Sequence, residues 1–242
     1  MGVCNLCLQD RDLVEGHVFP EFLYAELYDP ATHKFHQLHT DVSRRNLRRS
    51  KGLYERLMCN DCDNRIISGY ESHASKVLNG GTEIPIVDEP DRILVGGLDY
   101  SNFKLFQISL LWRAVISTME EFQAAKTTAA HAERMRRMLL TNDPGEPHEY
   151  GCVMLLPELF KDVQHGILPP EPIRIAGHWC FRFLAGGFWW LIVVSRHSAT
   201  FVMRQWFLAA DGTLVIGKES ASTQFFHELA AHLVKNPTYP AT

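Results

Sequence analysis

The 242-residue chain has no apolar run long enough to span a bilayer. Its most apolar stretch, Ala185 to Val194, is ten residues set between Arg182 and Arg196, whereas a spanning helix needs about 20. The opening MGVCNLCLQD has neither a cationic region nor an apolar core, so no secretory leader is expected, and Leu6 stands where a myristoylation site wants Ser or Thr. Excess charge of one sign is missing too. The 24 Lys and Arg against 28 Asp and Glu give −4 at pH 7, which excludes a protein that coats nucleic acid by bulk positive charge. There is no internal repeat, phosphate-binding loop, dinucleotide fingerprint or nucleophile elbow. What is left is a globular composition, 46% hydrophobic and 21% charged, with length for one large domain or two smaller ones. The expected compartment is the reducing cytoplasm, with no membrane partner.

In that compartment regularly spaced cysteines point to metal before disulfides. Four of the six form two matched pairs, Cys4-Asn-Leu-Cys7 and Cys59-Asn-Asp-Cys62. Two residues between thiolates let the chain turn so that both sulfurs face one ion, and two such turns supply the ligands of a tetrahedral structural zinc site. The 51 residues between the pairs exceed the compact spacing and leave room for a hairpin and a loop. A redox dithiol would sit beside a strand–helix–strand pattern, which neither pair has. Cys152 and Cys180, single and flanked by apolar residues, read as core.

The rest of the chain divides by pattern. A strand is expected before Pro20, two helical turns over 21–27, a polar loop over 31–51 containing His33, His36 and His39, and apolar alternation over 52–58. A helix should run from about 62 to 78, with Ile66, Tyr70 and Val77 on one face, and stop at Asn79-Gly80-Gly81. His73 lies about 15 Å along that helix from Asp63 and cannot share an ion with it. Residues 82–97, with two prolines and Gly96-Gly97, look like a linker. Beyond it Leu105, Ile108, Trp112, Val115, Met119 and Phe122 mark an amphipathic helix over about 103–124, and another is expected over 129–140. Strand-like runs follow at 150–156, 173–176, 179–184, 188–195 and 201–209, with a hairpin turn at Gly186-Gly187 and a last helix over 222–235. The expected fold is α+β: an N-terminal zinc-stabilised treble-clef (ββα) module over 1–81, then a larger α+β domain over 98–242 with an antiparallel sheet. The tryptophans 179, 189, 190 and 206 read as core aromatics.

The N-terminal third resembles the zinc-knuckle branch of the HNH (ββα-metal) endonuclease family. The residues that carry the resemblance are Cys4-x2-Cys7, Gly16-His17-Val18-Phe19-Pro20 and Cys59-x2-Cys62-Asp63. The chain is also similar to bacterial HNH-like proteins that place this module before a long second domain. The resemblance implies a metal-dependent nuclease hydrolysing phosphodiester bonds in nucleic acid, with DNA the expected substrate and prokaryotic defence the family's common setting. His17 falls at the general-base position and Asp63 at a position that binds Mg²⁺ or Mn²⁺. Gly16 stands where the family usually has an acidic residue or His, and Glu15 could replace it only if a bulge turned it toward Asp63.

Between the hairpin and the second cysteine pair, Arg44, Arg45, Arg48, Arg49, Lys51 and Arg56 face one acidic residue, Glu55. A phosphate backbone would be drawn there; a solvated loop is the plain alternative. Two other functions compete with the nuclease: a non-catalytic zinc module that binds nucleic acid or protein, and a sensor or interaction protein acting through residues 98–242.

Overall fold

The computed structural model describes residues 1–37, 47–81, 83–157 and 166–218, apart from the side chains of Glu26 and His36. The expected helix over 222–235 lies outside them. The structure is mixed α+β and built on a large, mostly antiparallel sheet. In chain order the strands are β1 Gly2–Val3, β2 Asp10–Arg11, β3 Leu13–His17, β4 Phe35–Gln37, β5 Leu47–Arg49, β6 Tyr54–Cys59, β7 Ile86–Asp88, β8 Arg92–Val95, β9 Cys152–Leu156, β10 Gly166–Ile175, β11 His178–Ala185, β12 Phe188–Val193 and β13 Leu214–Lys218. Among the described residues three α-helices intervene: α1 Ser68–Leu78, α2 Tyr100–Ile116 and α3 Ala129–Thr141. Among the described residues no helix is long and apolar enough to cross a membrane.

Among the described residues nine strands form one sheet in the order β5-β4-β10-β11-β12-β9-β13-β8-β7. Only the β4–β10 and β13–β9 neighbours run parallel. Its centre is the β11–β12 hairpin, turned by Gly186 and Gly187 at φ +59° and +77°, the left-handed pair a two-residue turn requires. The sheet recruits segments whose sequence reads as connector. Residues 82–97 carry β7 and β8, and the polar stretch 31–51 carries β4 and β5. These strands are three or four residues long, too short to show alternation. In β10, Pro169 and Pro170 are accommodated at a register shift between Leu168 and Glu171, while Pro172 stays in register opposite Phe181.

Helix α2 lies in the middle of the molecule. Every residue from Phe103 to Val115 is buried, including Lys104, Gln107, Ser109 and Arg113. The expected one-sided stripe is therefore a helix covered all round. It ends at Ile116, earlier than its pattern suggests, where the Lys126 ammonium donates to the carbonyls of Val115 (3.0 Å) and Ser117 (2.5 Å). Met119 and Phe122 belong to the turn that follows. The 201–209 run is not a strand: residues 204–206 form one 3₁₀ turn, and Phe201, Met203 and Phe207 pack on the sheet face opposite α2 beside Leu155, Trp189 and Leu191. Their apolarity comes from covering a sheet rather than joining one. Trp189 and Trp190 are core, whereas Trp179 is half exposed under the guanidinium of Arg174, 4.4 Å from its ring. Cys152 and Cys180 are fully buried, and burial pushes both thiols up to about 12.

Candidate functional site

The first cysteine turn is set against β6. The Asn5 amide N–H and side-chain Nδ2 both donate to the Leu57 carbonyl, at 3.1 and 2.9 Å. Leu8 reverses the chain at φ +60° and donates to the Cys4 carbonyl, and β1 pairs with β2 to close the loop. Strand β3 then pairs antiparallel with β6, Leu13 opposite Cys59. Cys59 thus arrives beside the first pair, its N–H donating to Cys4 Sγ at 3.3 Å. Cys62 opens a wide π-helical turn, Cys62–Ile67, that leads into α1.

The four sulfurs of Cys4, Cys7, Cys59 and Cys62 lie within 4.8 Å of one another, and Cys7 and Cys59 are 4.0 Å apart. Tetrahedral zinc–thiolate bonds of about 2.3 Å would set sulfurs about 3.8 Å apart, so this cluster could hold a metal ion such as zinc. The donors' own chemistry agrees. Burial opposes ionisation of Cys4, but amides of Cys7, Cys59 and Leu6 outweigh it and bring its thiol down to about 7. Burial, reinforced by the neighbouring cysteines, pushes Cys62 strongly the other way. Four thiolates this close ionise together only around a cation.

His17 and Asp63 line one crevice beside this cluster, together with Val14, Gly16, Glu55, Leu57 and Met58. In this conformation the crevice is too narrow for a water molecule. A Cβ at Gly16 would lie 2.9 Å from Asp63 Oδ1, so the Asp63 carboxylate fills the space that any side chain at position 16 would need. Burial raises the Asp63 pKa, helped by Glu71 and opposed by Arg113 and His17. The register of β3 against β6 does shift between Val14 and Gly16, leaving Glu15 at a bulge, but its side chain is exposed and does not line the crevice.

The His17 ring is held on several sides. It packs against Tyr54 with centroids 3.9 Å apart, and Nε2 is 2.8 Å from Glu21 Oε2. Tyr28 donates to the other Glu21 oxygen at 3.0 Å. A carboxylate can only accept, so Nε2 carries the hydrogen and Nδ1 of the neutral ring keeps the lone pair. From the centre of the molecule, the buried Arg113 donates Nη1 to the His17 carbonyl (3.0 Å) and to Glu71 Oε1 (2.6 Å). Glu55, the other carboxylate in the crevice, accepts from the Ser117 and Thr118 hydroxyls at 2.5 and 2.6 Å and from the Thr118 amide. It ties β6 to the end of α2.

Glu21, Arg113 and Glu71 were not among the expected site residues. Glu21 stands four residues after His17, a spacing that could have drawn attention; Arg113 is 96 positions away, and no local pattern links it to the strand. His73 is not near the cluster; it packs edge-on to Phe103 at 6.4 Å, with its buried Nε2 unpaired among the described residues.

The basic residues separate. Arg48 and Lys51 are exposed, and Arg48 donates to Thr32 Oγ1 at 3.2 Å. Arg56 is exposed on β6 and reaches the Leu13 carbonyl at 3.5 Å. Arg49 points inward and is committed to Glu121 and Gln37. Arg44 and Arg45, like His39, lie outside the described residues.

No protein-family model, curated protein or solved structure matches the chain.

Proposed function

We propose that the chain is a metal-dependent nuclease of the HNH type, in which a structural zinc on Cys4, Cys7, Cys59 and Cys62 holds a treble-clef module and a catalytic crevice beside it. The observation that carries this reading is the convergence of His17 and Asp63 in one crevice whose two walls, β3 and the turn after Cys62, both start from the cysteine cluster. With Nε2 committed to Glu21, Nδ1 is the atom that takes a proton from the attacking water, and the Glu21 carboxylate stabilises the imidazolium that results. Asp63 offers one hard oxygen ligand to Mg²⁺ or Mn²⁺, ions that commonly take one or two carboxylates and complete their shell with substrate phosphate and water. When bound, such an ion supplies charge stabilisation at the phosphoryl oxygens. The exposed Arg48, Lys51 and Arg56 attract the phosphate backbone, with DNA as the substrate; Arg44 and Arg45 belong to the same basic stretch of the sequence.

The narrowness of the crevice and its single available carboxylate favour one other reading: a zinc module that binds nucleic acid or a protein without cutting, its partner engaged in part by residues 98–242. Incubating the purified chain with supercoiled and linear DNA, with Mg²⁺, Mn²⁺ or EDTA, separates the two. Nicking that needs the divalent ion supports the nuclease. Salt-dependent binding with no cleavage in either metal supports the second reading and removes the first.

A further inference from the structure

A second cleft, of about 360 Å³, opens where the first turn of α3 meets the 148–150 turn and the segment leaving β12. Its size falls in the range of small-molecule sites, about 300–1,000 Å³. Arg196, His131, His148 and Ser195 give its lining polar groups, and the exposed Ala130 and the largely buried Tyr150 give it apolar ones, with the fully buried Val193 behind them.

The charges in this cleft do not cancel. Glu149 is spent on Arg134, which it grips with both oxygens at 2.7 and 3.0 Å, and Asp143 adds a third contact to the same guanidinium at 3.3 Å. Arg196 is exposed and has no carboxylate partner among the described residues. His131 Nδ1 is held 2.9 Å from the Tyr150 hydroxyl, which fixes the ring at the opening turn of a 13-residue helix, where the backbone dipole favours negative charge. Tyr150 keeps this contact from a left-handed backbone, φ +52°, which a bulky residue adopts only where its surroundings over-determine it. Burial and the nearby Arg196 charge both lower the His131 pKa, as expected where positive charge is concentrated without its counterion.

We propose that this cleft binds a small organic anion, its acidic group held by Arg196 and the His131 and His148 rings and its carbon body lying against Ala130 and Tyr150. A bare inorganic ion would leave most of the volume and the apolar wall unused. The same helix that carries His131 carries Arg136, which donates to the Leu6 carbonyl in the first cysteine turn at 2.6 Å, so the ligand would sit on the element that braces that turn. The proposal stands independently of the nuclease reading.

Titrating the full chain with phenyl phosphate, benzoate and benzyl alcohol, while following the histidine ring resonances by NMR, tests it. Millimolar phenyl phosphate or benzoate should move the His131 and His148 signals and leave His17 and His73 in place; which acid binds tighter tells a phosphate ligand from a carboxylate one. Arg196→Ala, a change at an exposed position that spares the fold, should weaken the preferred acid by about tenfold, the usual worth of one charge-assisted contact. Silence of both rings toward both acids, equal shifts with benzyl alcohol, or an unchanged titration in the Arg196 variant would overturn the proposal.

Discussion

Strands β3 and β6 and strands β9 to β12 are both antiparallel, but different forces hold them. The central sheet strands are flanked by covered faces: Trp190 and Phe183 stack at 6.0 Å on the side of α2, and Phe201, Met203 and Phe207 close the other side. That region buries enough apolar surface to order itself. The β3–β6 pair has no such sandwich. It is a two-stranded ribbon, marginal alone in water, fixed at one end by four sulfurs and at the other by Arg113, Glu55 and Phe19, which stacks on Phe183 at 5.5 Å. The lesson is a division of labour. The apolar region sets position, and the ribbon is tied to it by the cysteine cluster, which could hold a metal ion, and by a few buried polar contacts.

Removing a thiolate should break this contrast most severely. In Cys59→Ser, bound zinc should be lost from the purified protein, because metal affinity in small zinc modules is folding free energy on the order of 10–16 kcal/mol. Hydrogen exchange should then show β3 and β6 unprotected and β9–β12 still protected. Full protection of β3 in a zinc-free variant would mean that packing alone orders the ribbon.

The next effect is at Arg113, whose contacts join the two regions. Arg113→Ala leaves Glu71 and the His17 carbonyl without their donor and should cost about 3–5 kcal/mol in urea denaturation, the range for breaking a buried pair. A double-mutant cycle with Glu71→Gln should show strong coupling.

Glu55 offers a pH test of the same junction. Burial opposes its charge, but hydrogen bonds from Ser117 and Thr118 prevail and hold its pKa below the ordinary 4.5. A depressed folded pKa adds stability above the unfolded value and loses it as pH falls through the folded one. Glu55→Gln should therefore be less stable than the native chain at pH 7, and the two urea midpoints should draw together as pH falls below 4.5. A gap constant with pH would deny the carboxylate its bracing role.

The smallest effect separates two neighbouring arginines. Arg48→Ala should reduce the salt slope of DNA binding by about 0.9, the contribution of one phosphate contact. Arg49→Ala, which breaks the contact with Glu121, should lower stability and leave the slope alone. The reverse result would place the nucleic-acid surface on the inner side of β5.

What could be read from sequence follows the same division. The paired cysteines, the helix after Cys62, α3 and the β11–β12 hairpin each announce themselves within a dozen residues, through spacing, period or a glycine turn. Strands β4, β5, β7 and β8 do not, because three or four residues at a sheet edge take their conformation from the neighbour they pair with. The stripe on α2 gave the helix but not its all-round burial, since Lys104 and Arg113 look solvated until the carbonyls of Pro147, Tyr150 and His17 come to meet them. The HNH resemblance singles out His17 and Asp63, and the two residues line one crevice. Their supports, Glu21 and Arg113, come from a turn beyond Pro20 and from a helix nearly a hundred residues on, and only the folded chain brings them together.

The most direct test of the account is a comparison of His17→Ala and Asp63→Ala with the native chain for Mg²⁺-dependent DNA cleavage, zinc content and DNA affinity on the same preparations. On the proposed nuclease reading the native chain cleaves and both variants do not, with one zinc retained per chain and DNA affinity unchanged, because that reading gives both residues a role in the chemical step alone. Cleavage that survives in the His17 variant, or a native chain that binds DNA and never cuts it, would contradict the account.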